Sequence, residues 1–410
     1  MINPFPIVLA DMRRSLVGVI AVICLIAVAV ALGVAVSAQE RALRQGSTRA
    51  AAPFDLLIGA AGSPTQLVLS TIYLQPASIN LINGQILRKL TETEGVKYAA
   101  PIGFGDSYRG YPLVGTTAEF VTQGGTVQPV EGHVFKSMWE VVAGANVKLK
   151  IDDKFSPSHG MILAEEEHDA DHKGIEYTVV GRMPRLGSPW DRALIGTVEA
   201  VWVTHSLPTG HQLLPDGSPD PDRIGPPWLA GETPGVPAIV VKPASVRDAY
   251  VLRSAYRAKE TMALFPAEVL IKMYNLLGDA RDLLAVISVA TQALVIGAIL
   301  LAVFASLALR RRQFAVLRAL GASRTYVFAT IWLHVSIMIT IGAAIGLGLG
   351  WFSALVLSRV FESETEIALP VTITLQEIGL AGALIVIGFV LAAIPGLMSY
   401  RQSVSAALQR

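Results

Sequence analysis

The sequence predicts an α-helical membrane protein with four transmembrane helices and an extracytoplasmic α+β domain inserted between helices 1 and 2. Three observations carry this. Hydrophobic residues fill 52% of the 410 positions and charged residues only 16%, with a mean hydropathy of +0.51, well away from soluble globular averages. Four long runs, 15–38, 283–309, 327–358 and 378–397, contain no Asp, Glu, Lys or Arg. Arginines collect at one set of run ends and glutamates at the other.

Residues 1–14 form a short N-terminal segment ending in Arg13-Arg14, followed by 24 uncharged residues, Ser15–Ala38. That run exceeds the roughly 7–15-residue apolar core of a cleavable signal, so it reads as a retained transmembrane helix. Residues 39–265 have ordinary polarity and read as the α+β domain. Within it Leu67–Tyr73, Met161–Ala164, Tyr177–Val180 and Val236–Lys242 look like strands, Ile79–Thr93 and Ala244–Tyr256 like helices. The Pro- and Gly-rich stretch Leu207–Gly235 reads as a loop or extended arm.

In 266–282, Val269, Leu270, Met273, Leu276 and Leu277 recur at helical spacing, which predicts a stalk helix running into transmembrane helix 2 at 283–309. The apolar run stops at Arg310-Arg311-Arg312. Residues 310–326 read as a short basic amphipathic helix, with Phe314, Val316, Leu317 and Leu320 apolar, Arg318 and Arg324 charged, and a break at Gly321-Ala322-Ser323. The third run, 327–358, would make a helix of roughly 48 Å at about 1.5 Å per residue, so it must tilt, bend or project. Gly342, Gly346 and Gly350 lie four residues apart on one face of it, a pattern that lets another helix approach closely. A short loop at 359–377, a fourth helix at 378–397 and a tail at 398–410 complete the chain.

Orientation follows from the basic residues. Arg13, Arg14, Arg310, Arg311, Arg312, Arg318, Arg324, Arg401 and Arg410 flank one side against the single acid Asp11, whereas the 359–377 loop carries Glu362, Glu364, Glu366, Glu377 and only Arg359. Both termini and the 310–326 segment are therefore expected in the cytoplasm, with the large domain outside.

The segment Arg311-Arg312-Gln313-Phe314-Ala315-Val316-Leu317-Arg318-Ala319-Leu320-Gly321-Ala322 resembles the coupling segment that follows the second transmembrane helix in MacB/FtsX-type ABC transporter permeases. Gln313 stands where that family usually has Glu. The end of the chain, Arg401–Arg410, is similar to the family's closing pattern, with Ser405 where Pro is usual and Gln409 inserted before the last Arg. Asp55–Ser63 is similar to the opening of the external domain in one permease branch. The resemblance implies a permease subunit, not an enzyme, working as a homodimer with two copies of an ABC ATP-binding subunit. Arg310, Arg311, Arg312, Phe314, Leu317, Arg318, Leu320 and Gly321 would dock on that ATPase. ATP and Mg would then sit on the partner and none on this chain, which contains no G-x-x-x-x-G-K-[ST] loop. Movement passed through helix 2 and its stalk would drive export or extraction of a substrate. The same layout also suits a transmembrane regulator of a periplasmic protein that moves no cargo, or the permease of a metal-linked system.

Other chemistry is sparse. A net charge of +1 gives no global attraction to nucleic acid, and the single cysteine, Cys24, rules out an intrachain disulfide or a multi-thiolate metal site. No G-x-S-x-G elbow supports a hydrolase. The richest polar cluster is 165–172, EEEHDADH, preceded by His159; His159, Glu165, His168 and His172 are donors suited to zinc, and His205 and His211 flank the Pro/Gly-rich arm. A solvated acidic loop is the plainer reading of the same residues. His334 is the one ionisable residue of the third run, and Trp190, Trp202 and Trp228 read as core or anchoring aromatics.

Overall fold

The computed structural model of the chain describes residues 3–160, 174–275 and 321–400, with positions 286, 290, 293 and 297. The expectations for Met161–Ala164, the distal stalk, transmembrane helix 2, residues 310–320 and the tail from 401 lie outside the described residues. The helices in chain order are α1 (Phe5–Arg14), α2 (Leu16–Ala51), α3 (Pro64–Ile72), α4 (Gly84–Thr91), α5 (Ala118–Val121), α6 (Val198–Thr204), α7 (Val246–Tyr256), α8 (266–275), α9 (Arg324–Thr365) and α10 (Leu375–Tyr400). The strands are β1 (Leu56–Ala60), β2 (Val96–Tyr108), β3 (Tyr111–Thr116), β4 (Glu131–Gly132), β5 (Glu140–Ala143), β6 (Lys154–Phe155), β7 (Ser158–His159), β8 (Tyr177–Arg182), β9 (Leu194–Thr197), β10 (Ala238–Pro243) and β11 (Thr261–Leu264). The chain divides into a helical unit, Met1–Arg44 with Leu277–Val360 and Leu369–Arg410, and an α+β unit, Gln45–Leu276 with Phe361–Ala368.

In the helical unit α2 and α9 are each long and apolar enough to cross a bilayer. Ile26, Val30, Val34, Val335, Ile339 and Ala343 are buried together, yet Val17, Val28, Phe352 and Leu357 are exposed. A unit apolar both inside and out suits surroundings of lipid. The helices overrun the apolar runs that announced them. α2 does not stop at Ala38: residues 39–51 hold good helix formers and a Glu40–Arg44 pair at 2.8 Å one turn apart, and helix ends only before Pro53. Residues 359–365, expected as loop, are the last turns of α9. α10 starts at Leu375, where Glu377 Oε2 accepts the Thr374 N–H at 2.8 Å, the backward half of a capping box that the T-x-x-E spelling announces.

The α+β unit is built on a mixed sheet in the order β11-β1-β10-β2-β3-β9-β5-β8-β4, with β6 also on β8 and β7 on β2. β2 joins its two halves. Its first residues pair with β10, Ala100 opposite Val240. After a register shift between Phe104 and Asp106 it pairs with β3. The β2–β3 hairpin closes on Arg109-Gly110, both at positive φ (48° and 77°), the backbone a two-residue turn needs to match strand twist. One core gathers Leu56, Ile58, Leu87, Leu90, Ile239 and Val241; a second, Leu113, Val141, Phe155, Tyr177, Val179 and Leu194.

Two local expectations are corrected here. Leu67–Tyr73 is helical, not a strand: Ser63 caps α3 by accepting the Gln66 N–H at 3.3 Å, with Pro64 at the first helical position, and these signals outweigh the β-branched Val68, Thr71 and Ile72. The helix expected over Ile79–Thr93 begins only at Gly84, capped by Asn83. Ile82 instead bridges to Val236, with backbone hydrogen bonds of 2.8 and 3.1 Å. The acidic segment 359–377 also makes specific contacts. Glu366 accepts from Asn146 at 2.6 Å, Glu362 pairs with Arg185, and Ala368 N–H donates to Gly187 at 3.1 Å, tying 361–368 into the α+β unit.

Candidate functional site

Within the α+β unit, two strands and one helix end bring Asp106, His159 and His205 together. The β7–β2 register sets His159 directly opposite Asp106, and Nδ1 lies 3.0 Å from Oδ1. His205 follows α6, whose start is fixed by Thr197 accepting the Ala200 N–H at 3.1 Å. Its Nδ1 stands 2.8 Å from the Val201 carbonyl. A carbonyl can only accept, so Nδ1 carries a proton and Nε2 is left to face Asp106, at 3.6 Å from Oδ1. The two imidazole rings are 5.3 Å apart. Asp106 is buried, His159 about half exposed (53%) and His205 intermediate (31%). The hydrogen-bonding Asp106 carboxylate raises the His205 pKa from its ordinary value, against the opposing effect of burial, with the Val201 carbonyl adding to the rise. Asp106 and Gly160 also line a cavity of about 310 Å³.

Of the metal ligands expected from sequence, only His159 is among the described residues. Glu165, His168 and His172 lie outside them. His205 joins His159, whereas His211 points elsewhere: its Nε2 lies 3.4 Å from Glu199 Oε1. The same oxygen accepts from Trp228 Nε1 and from Gly225 N–H, each at 2.8 Å. Glu199, on α6, thus pins the Pro/Gly-rich arm. Nothing in the primary sequence singles out Asp106 or Glu199.

In the helical unit the three glycines of α9 meet α2. A Cβ at Gly342 would sit 2.7 Å from Ile26 Cβ, one at Gly346 2.6 Å from the Ala27 carbonyl oxygen, and one at Gly350 2.7 Å from the Ala31 carbonyl oxygen. Gly348, on the other face, meets nothing within 4 Å. Residues 285–404 match the family model FtsX-like permease C-terminal.

The chain carries an FtsX-like permease domain at 285–404.

It is accordingly a membrane protein with a large extramembrane domain, and permeases of this type work with an ABC ATPase. No curated protein matches it. Among solved structures it is similar to the periplasmic region of MacB from Actinobacillus actinomycetemcomitans, at 11% identity over 55% of this chain and 95% of that one with a TM-score of 0.34. It is also similar to the extracellular domain of the noncanonic ABC-type transporter YknZ from Gram-positive bacteria, at 11% identity over 51% and 98% with a TM-score of 0.28. Likeness at that level is too loose to carry detail across.

Of the permease's expected ATPase-coupling residues, Arg310, Arg311, Arg312, Phe314, Leu317, Arg318 and Leu320 lie outside the described residues. Gly321 is described and sits at φ +97°, a left-handed turn that suits glycine. Ser323 then opens α9 by accepting the Tyr326 N–H at 3.1 Å. His334 Nδ1 lies 3.3 Å from Asp11 Oδ2 in the same unit. Glu377, fully buried, is held by Arg41 at 2.5 Å and Ser37 at 3.1 Å, while Arg41 also donates to the Thr372 carbonyl at 2.6 Å. Trp190 packs on Phe54 and Phe120, and Trp202 on Trp228.

Proposed function

We propose that this permease is the four-span inner-membrane subunit of an ABC transporter, acting as a homodimer with two ATPase copies and transmitting their ATP-driven closure to its periplasmic domain for export or extraction of a substrate. The observation that carries the reading is the family match over 285–404, which includes the basic segment 310–320 and its turn at Gly321. Closure of the ATPases pushes on Arg310–Leu320. The push travels along transmembrane helix 2 and the stalk into the periplasmic domain. The close α2–α9 contact keeps those two helices moving as one body. The distribution of arginines and glutamates supports a cytoplasmic 310–326 segment.

Charge reversal tests it. Arg311→Glu with Arg318→Glu should abolish co-purification of the ATPase in detergent while leaving thermal unfolding of the permease near wild type. Retained ATPase binding would sink the coupling assignment. In reconstituted vesicles, ATP-dependent movement of cargo supports transport; activation of a periplasmic partner with no cargo moved would replace it with a regulatory role.

A further inference from the structure

We propose that Asp106, His159 and His205 form a binding site for one zinc-like divalent cation in the extramembrane domain, ligated through Asp106 Oδ1, His159 Nδ1 and His205 Nε2. This goes beyond the permease reading and does not depend on it.

The donor set is the first argument. One carboxylate and two imidazoles are ligands that zinc and its borderline neighbours favour, and they leave one position of a four-coordinate ion open. Spacing is the second. The three donor atoms lie within 4.8 Å of one another. Donors around a tetrahedral ion with bonds of about 2.0–2.1 Å sit roughly 3.3 Å apart, and the two separations from Asp106 Oδ1, 3.0 and 3.6 Å, bracket that value.

The third argument is the outer shell. A ligating imidazole ordinarily donates its second N–H to a carbonyl or carboxylate, which fixes the tautomer. His205 does this through Nδ1 to Val201 at 2.8 Å before any ion arrives, so Nε2 is already aimed at Asp106. Access is the fourth. His159 is half exposed, and Asp106 with Gly160 opens on the 310 Å³ cavity, which gives the ion and a fourth ligand a route from solvent. A bound ion joins β2, β7 and the end of α6. Because α6 also carries Glu199, the same helix then answers both to the metal and to the arm at 207–235.

The full-length protein, purified in detergent without a polyhistidine tag and stripped by chelation, is titrated with zinc chloride against a chromophoric chelator. One ion per chain is expected. Cobalt should give the visible absorption of a four- or five-coordinate site with nitrogen and oxygen donors. His159→Ala, at an exposed position that spares the fold, and His205→Ala should each weaken zinc by at least the roughly 10- to 100-fold that loss of an outer-shell partner costs. Asp106→Asn should do likewise, with tryptophan fluorescence checking that each variant is folded. No zinc bound by the stripped wild type overturns the proposal. So does binding that survives in His159→Ala and His205→Ala but disappears in His168→Ala with His172→Ala, which would move the ion to the acidic segment. Binding that requires His159 and His205 supports it.

Discussion

Glu377 in the helical unit and Glu199 in the α+β domain are equally hidden from solvent, both at 0% exposure, yet they are held in opposite ways. Glu377 is neutralised by a guanidinium, Arg41, and its second oxygen caps α10. Glu199 receives neutral donors, the Trp228 indole and the Gly225 amide, beside His211. The contrast extends to cohesion. The domain has two apolar cores under a sheet, so polar groups there need only position loops. The helices are apolar on both faces, burial alone cannot select one partner over lipid, and close backbone approach at small residues together with polar ties must do so.

The largest effect should come from breaking the charged tie. Arg41→Ala strands a buried carboxylate and should cost about 3–5 kcal/mol, read as a fall in the thermal unfolding midpoint in detergent. Exchanging the two residues, Arg41→Glu with Glu377→Arg, should recover part of the loss. Next is the neutral tie. Trp228→Phe removes one donor from Glu199 and should cost about 1–3 kcal/mol, with protease cleavage in 207–235 rising while the helical unit resists as before. A comparable destabilisation, about 1–3 kcal/mol, is expected from Gly346→Ala, whose methyl group would meet backbone of α2. The smallest effect has the opposite sign. Gly348→Ala, two residues away in open space, should stabilise by about 0.5–1 kcal/mol because alanine restricts the unfolded chain. Equal effects at 346 and 348 would show that the glycine face does not hold the helices together.

How much of this was legible depends on the range of the interaction. The apolar runs and the glycine spacing are written in consecutive residues, so α2, α9 and α10 are readable, as is the 207–235 arm from its proline and glycine content. The Ser63-Pro64-Thr65-Gln66 and Thr374-Leu375-Gln376-Glu377 caps are equally local, and the first outweighs the β-branched residues that give Leu67–Tyr73 the composition of a strand. The overlong α2 and α9 escaped because hydropathy marks where a helix enters lipid, not where hydrogen bonding ends. Glu362 and Glu366 signalled a side of the membrane, but their pairing with Arg185 and Asn146 spans more than 170 residues of sequence.

The sequence by itself determined apolar helices long enough to cross a membrane and an inserted α+β domain, because hydropathy and turn chemistry act over a few residues. The tertiary structure alone decided that Asp106 faces His159 and His205 and that Glu199 clasps the arm. Those contacts depend on strand register and on where α6 ends, and no pattern of neighbouring residues encodes them.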